Sequence, residues 1–204
     1  MGRVSDAKER LMEAVSELIW SGSYGSTTID HICEKAGVKK GSFYYFFDSK
    51  SDLAAVAFEA EWQKHRPVLD SIFSATVPPL ERLKNYCDFG FRFQTEILEK
   101  HGRVLGCPLC ALGSEVSTQE DRLQKKVQEI MEYKQRYLES VIRDANAAGL
   151  THVKDVPGTA FRLFAYYQGL NTQARIRNDL NVLKDAMQGT YDLLGVPESA
   201  PLPA

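Results

Sequence analysis

The sequence predicts an all-α protein made of a small N-terminal domain and a larger helical body. Apolar residues recur every three or four positions along most of the chain, which is the helical period, and we find no segment with the alternation of a strand. Glycine and proline divide these periodic segments from one another. A chain of 204 residues with 44% hydrophobic residues can bury the core that this architecture needs.

The first helix is predicted over residues 5–20. Its apolar residues follow the i, i+3, i+4 pattern of an amphipathic helix and are Leu11, Ala14, Val15, Leu18 and Ile19. The small polar run from Ser21 to Ser23 ends it. We expect this helix to support the two short helices that follow.

Residues 27–53 have the pattern of a helix-turn-helix. Thr27 or Thr28 can cap a short helix that ends at Gly37, where a glycine adopts a left-handed conformation without steric cost. The next helix opens with small and basic residues and continues with five aromatic residues, from Phe43 to Phe47. A helix of this kind presents its N-terminal end to the major groove of DNA.

This segment resembles the DNA-binding head of the TetR family of one-component transcriptional regulators. The residues that carry the resemblance are Thr27-Thr28, Ala36-Gly37-Val38, Lys40-Gly41-Ser42-Phe43-Tyr44, Phe47, Lys50 and Asp52-Leu53. Phe46 departs from the family pattern, in which a tyrosine is more usual, so a hydroxyl contact is absent there.

The resemblance implies a set of residues that contact operator DNA. They are Thr28, Lys39, Lys40, Gly41, Ser42, Tyr44, Tyr45 and Lys50. Early positions of a recognition helix reach phosphates and base edges, and Lys50 would neutralise a phosphate at the start of the next helix. We expect Phe43 and Phe47 to lie in the core of the head instead.

The rest of the chain reads as a helical body. Helices are predicted from residue 50 to 65, 80 to 99 and 119 to 148, followed by two further helices. The last two are so apolar that we expect them to form half of a four-helix homodimer interface. The predicted boundaries are a DNA-binding domain over residues 1–49, an effector-binding and dimerisation domain over 50–195 and a disordered tail over 196–204.

Aromatic and sulfur-containing residues of the body are candidates for an effector pocket, although each also suits an ordinary core. The candidates are Phe58, Trp62, Phe89, Phe93, Cys107, Cys110, Phe164 and Gln168. Cys107 and Cys110 have the CxxC spacing of a redox pair or of half a metal site. Because there is no second CxxC and no histidine at ligand spacing, we expect no metal.

Charge and composition limit the functional class. The net charge is −2, and residues 1–50 contain seven Lys or Arg against seven Asp or Glu, so a broadly basic DNA-binding surface is missing. We find no signal peptide, membrane span, catalytic motif or cofactor-binding motif, and four cysteines suit a reducing compartment. A cytoplasmic protein that is not an enzyme is expected.

These observations predict a transcriptional regulator, in the form of a repressor that a small-molecule effector releases from a palindromic operator. One alternative is a regulator that responds to thiol oxidants or electrophiles through Cys107 and Cys110. Another is a helical ligand-binding dimer that does not bind DNA.

Overall fold

A computed structural model of the chain describes residues 2–116 and 120–196, and these contain helices and no strand. The helices are α1 (Gly2–Ser21), α2 (Ile29–Ala36), α3 (Lys40–Phe46), α4 (Lys50–Ile72), α5 (Pro79–His101), α6 (Pro108–Val116), α7 (Asp121–Ala147), α8 (Val156–Arg177), a 3₁₀ turn (Leu180–Asp185) and α9 (Ala186–Leu194). The all-α prediction is confirmed. Apart from Val196, the tail predicted for residues 196–204 lies outside the described residues.

The chain divides into two compact units. The first comprises the chain up to His65 together with Pro108–Met131, and the second comprises Arg66–Cys107 and the chain from Glu132 onward. In the first unit α1 packs against α2, α3 and α6. Besides the residues of the predicted head, this unit contains the first part of α4, all of α6 and the first part of α7, and the predicted domain boundaries stay a prediction.

Local signals in the sequence set the ends of α2 as predicted. Thr28 is the N-cap, and its hydroxyl oxygen accepts a hydrogen bond of 3.2 Å from the backbone N–H of His31. Gly37 follows the helix with φ of +63°, and its N–H donates to the carbonyl of Glu34. These caps fix the turn that leads into α3.

Two helices differ from their predicted extents. α4 continues through Pro67 to Ile72, because a proline removes one backbone hydrogen bond while Leu69 and Phe73 remain buried on the same helix face. The last of the predicted helices is divided in the structure. Its first part is instead a 3₁₀ turn, and α9 spans only nine residues.

The second unit is held at the loop that precedes α6 by a buried glutamine. The side-chain amide of Gln94 donates to the carbonyl of Gly106 and accepts from its N–H, both at 3.0 Å. Gly106 has φ of +66°, and a Cβ there would lie 2.9 Å from the carbonyl oxygen of Asn171. Only glycine fits at this position, and Gln94 satisfies both of its backbone groups.

No helix in the described part of the chain is long and apolar enough to cross a membrane.

Replacing Gln94 with leucine is expected to lower the free energy of unfolding by about 2–4 kcal/mol, since two buried backbone groups of Gly106 lose their partners. Urea denaturation followed by circular dichroism measures this change. Glu96→Gln, at an exposed position of the same helix, is the control and should change stability by less than about 0.5 kcal/mol. Equal stability of the two variants would contradict the anchoring role of Gln94.

Candidate nucleic-acid interface

The outer side of α3 carries exposed residues of the kinds that contact nucleic acid. Tyr44 is 55% exposed and Tyr45 is 75% exposed, which is unusual for large aromatic side chains. Lys39, Lys40 and Gly41 at the start of the helix are exposed as well. Five of the eight predicted DNA contacts therefore share one accessible surface, which we call the α3 edge.

The inner side of the same helix belongs to the core. Phe43 is 0% exposed and Phe47 is 3% exposed, as expected from the sequence. Phe43 packs edge-to-face on Tyr44, with 5.2 Å between ring centroids. The buried ring thus supports the exposed one, and α3 is anchored from beneath.

Thr28 and Ser42 lie at the starts of α2 and α3. The Thr28 side chain is exposed, and its hydroxyl accepts the capping bond, so its own proton can be donated outward. Ser42 is half-buried.

Lys40 is paired within the protein. Its ammonium lies 2.9 Å from a carboxylate oxygen of Asp30 on α2, and both side chains are exposed. The hydrogen bond and the charge of Asp30 raise the pKa of Lys40. An exposed ion pair of this kind contributes little to stability, so a phosphate can compete for the lysine.

Lys50 does not have the environment expected of a phosphate contact. Its ammonium donates to the backbone carbonyls of Tyr24 at 2.7 Å and Thr27 at 2.8 Å. It also lies 3.9 Å from the centroid of the Tyr24 ring, a cation–π distance. Burial lowers its pKa, and the carboxylates of Glu120 and Glu115 oppose that shift. The geometry gives Lys50 an internal structural contact that the sequence did not predict.

The predicted effector residues fall into both units. Phe58 and Trp62 are buried in the first unit, which also contains the half-buried Cys110. The others belong to the second unit and are Cys107, Phe89, Phe93, Phe164 and Gln168. Phe89 stacks on Phe93 with 6.2 Å between ring centroids, and Phe164 is buried. Cys107 and Cys110 are both half-buried and form no disulfide with a described residue, and their role as a redox pair stays a prediction.

The sequence analysis did not predict a series of hydrogen-bonded side chains inside the second unit, which we call the buried polar chain. The Cys87 thiol donates to the Tyr167 hydroxyl at 3.6 Å, which lies 2.8 Å from the Thr190 hydroxyl, and Thr190 donates to the carbonyl of Ala186. Burial raises the pKa of Cys87 to about 11. The Tyr191 hydroxyl is buried without a partner among the described residues.

Tyr167 lies in an apolar run that the sequence presents as core, and only its pairing with α9 reveals the polar chain. Among the described residues, no group of histidine, cysteine or acidic side chains could hold a metal ion.

Comparisons with known proteins agree with this architecture. The family described as "Bacterial regulatory proteins, tetR family" matches residues 11–57. The family described as "Tetracyclin repressor-like, C-terminal domain" matches residues 79–190, which is more than half of the chain.

Individual relatives match nearly the whole chain. An HTH-type transcriptional regulator encoded in the lacX 3′ region of Lactococcus lactis subsp. lactis is 28% identical over 195 residues, covering 93% of this chain and 91% of that protein. The transcriptional repressor NemR of Escherichia coli K12 is 22% identical over 200 residues, covering 94% and 96%.

Solved structures share the fold. The regulatory protein TetR from Rhodobacter sphaeroides has a TM-score of 0.80 and 26% identity, covering 92% of this chain and 98% of that one. The reduced form of E. coli NemR also has a TM-score of 0.80, with 21% identity, and covers 94% and 100%. With a family match over more than half of its length and a helix-turn-helix at its N-terminus, this chain belongs to the TetR family of transcriptional regulators.

Proposed function

We propose that this DNA-binding regulator is a repressor that binds a palindromic operator as a homodimer and leaves it when a small-molecule effector binds. The observation that carries the proposal is the exposed α3 edge, where Tyr44 and Tyr45 project beside Lys39 and Lys40. The proposal places the protein in the cytoplasm with its DNA and assigns it no catalytic step.

Each residue of the α3 edge has a role that its position supports. Lys39 and Lys40 precede the exposed aromatics and would neutralise phosphates, while Tyr44 and Tyr45 would contact the backbone or a thymine methyl group. Thr28, at the start of α2, would donate its hydroxyl proton to a phosphate. Lys50 has a structural role in this proposal, because its ammonium already donates to two carbonyl groups.

Gly41 has a distinct role in this proposal. A Cβ added at Gly41 would meet nothing within 4 Å beyond its chain neighbours and the backbone of its own helix, so packing inside the protein does not require glycine there. Glycine also weakens a helix relative to alanine. A glycine kept on an exposed helix end without an internal reason supports a close approach by another molecule, here the DNA backbone.

A homodimer is supported by one exposed face of α8. Phe161 is 59% exposed and Ile176 is 70% exposed, and the exposed small residues Ala165, Gly169 and Thr172 lie between them on the same face. A long apolar stripe with small residues at its centre suits a second helix of the same kind. Two copies would place their α3 helices in successive major grooves about 34–36 Å apart.

Release by an effector needs only a modest energy difference. An effector that binds the DNA-incompetent conformation more tightly by about 2.7 kcal/mol lowers operator affinity about 100-fold. The residues predicted for its pocket remain candidates, namely Phe58, Trp62, Phe89, Phe93, Cys107, Cys110, Phe164 and Gln168. That NemR is named a repressor supports the sign of the regulation.

Tyr45→Ala tests the α3 edge. An operator is first selected from random oligonucleotides with the natural chain, and affinity is then measured by fluorescence anisotropy. The substitution should cost about 1–3 kcal/mol of specific binding free energy. It should leave the melting temperature unchanged, because the side chain is exposed. Tyr133→Ala, an exposed tyrosine of α7, is the matched control and should bind normally.

Gly41→Ala separates stability from DNA binding. Because the added methyl group meets open space in the protein, the free energy of unfolding should rise by about 0.5–1 kcal/mol. Operator affinity should fall at the same time, as the methyl group holds the helix end away from the phosphates. Chemical denaturation and anisotropy on the same samples measure the two effects, and unchanged affinity would remove the close-approach argument.

Ala165→Glu tests the α8 face. A buried, unpaired carboxylate at the centre of the proposed interface should convert the dimer to a monomer in analytical ultracentrifugation. Gln63→Glu introduces the same charge at an exposed position of α4 and should leave the dimer intact. A dimer that survives Ala165→Glu would place the interface elsewhere.

A further inference from the structure

The turn between α1 and α2 is held by side chains from three other helices or their connections, all within the first unit. The turn contains Tyr24, Gly25, Ser26 and Thr27. Lys50, at the start of α4, binds the carbonyl groups of Tyr24 and Thr27. Glu115 of α6 and Glu120, just before α7, accept hydrogen bonds from the same turn. We call Glu115 and Glu120 the acidic clasp.

The clasp makes two charge-assisted hydrogen bonds. The backbone N–H of Gly25 donates to Glu115 Oε2 at 3.0 Å, and the hydroxyl of Tyr24 donates to Glu120 Oε1 at 3.0 Å. Burial, followed by the bond to Glu120, raises the pKa of Tyr24, so the hydroxyl keeps its proton at any physiological pH. A hydrogen bond to a charged carboxylate is stronger than one between neutral groups.

The start of α7 is also fixed to α4. Arg122 lies 2.7 Å from Asp52, and Lys126 lies 3.1 Å from Glu59. Glu120 therefore lies next to a helix that two ion pairs connect to α4. The contacts to the turn are consequently made by a supported segment.

The turn and Lys50 lie at the two ends of the helix-turn-helix. Thr27 directly precedes Thr28, the N-cap of α2, and Lys50 follows the end of α3. Lys50 joins these two ends, and Tyr24 connects them to Glu120 through its ring and its hydroxyl. Any shift of Glu115 or Glu120 would therefore pull on the ends of α2 and α3 before it reached their centres.

We propose that Tyr24, Glu115 and Glu120 are positioning residues for operator binding, which hold the α2–α3 segment in the orientation that DNA requires without touching DNA. The inference rests on the proposed function. A turn released from the clasp samples more conformations, and only a fraction of the molecules then present α3 correctly. The apparent affinity is the intrinsic affinity multiplied by that fraction. We expect a loss of up to about tenfold when one charge-assisted hydrogen bond is removed.

The test uses the full chain and the operator that the natural protein selects from random oligonucleotides. Tyr24→Phe removes the hydroxyl and keeps the ring against Lys50, Glu120→Ala removes its acceptor, and the double variant removes both. Each single variant should bind the operator three- to tenfold more weakly. The double variant should be no weaker than the singles, because all three lose the same hydrogen bond. Glu120→Gln should restore binding, since its amide oxygen still accepts from Tyr24.

Tyr137→Phe is the matched control. It removes another hydrogen bond from a tyrosine to a carboxylate, that of Asp70, in the second unit. Its operator affinity should equal that of the natural chain. Stoichiometric titration gives the active fraction of every variant, so that unfolded protein is not counted as weak binding.

The salt dependence separates positioning from direct contact. Replacing a positioning residue lowers operator affinity equally at every salt concentration, so the slope of the logarithm of the association constant against log[salt] is unchanged. Losing a phosphate contact instead makes that negative slope shallower by about one. A reduced slope for Tyr24→Phe, or natural affinity in both single variants, would overturn the positioning role. If the natural chain selects no sequence at all, the proposed function fails and the positioning role fails with it.

Discussion

The helix-turn-helix segment of the first unit depends on a single half-buried ammonium group, that of Lys50. It donates to the carbonyl groups of Tyr24 and Thr27 and lies over the Tyr24 ring, and the N–H of Thr27 also donates to the Tyr24 carbonyl within the same turn. A lysine is costly to bury unless it finds such partners, and its lowered pKa reflects that cost. Because the two carbonyls come before α2 and the lysine comes after α3, one side chain closes the helix-turn-helix segment into a defined shape.

This internal closure leaves the outer surface of α3 available for DNA. The buried rings of Phe43 and Phe47 hold the helix from beneath, so Tyr44 and Tyr45 are not needed for the core. The head has equal numbers of basic and acidic residues, and Lys40 is already paired with Asp30. Long-range attraction to DNA is therefore weak for one head, and in the proposed homodimer two copies of the α3 edge would supply the affinity.

The parts of the structure that could be predicted from the sequence are those that local chemistry decides. Thr28 and Gly37 are helix ends whatever the rest of the chain does, and Phe43 follows from the helical period. Lys50 could not be predicted in this way, because a lysine at a helix start looks the same whether it faces a phosphate or a carbonyl. The decision depends on Tyr24, a residue 26 positions away.

The buried polar chain in the second unit shows the same limit and also bears on redox regulation. Thr190 gives its proton to the carbonyl of Ala186, so Tyr167 must donate to Thr190 and Cys87 must donate to Tyr167. Every proton in the chain points in one direction, and the thiol, with its pKa raised to about 11, is protonated at neutral pH. Since the thiolate is the reactive form, Cys87 is poorly suited to react, and burial also raises the pKa of the buried Cys33. Cys107 and Cys110, both half-buried, are the better candidates for a thiol response.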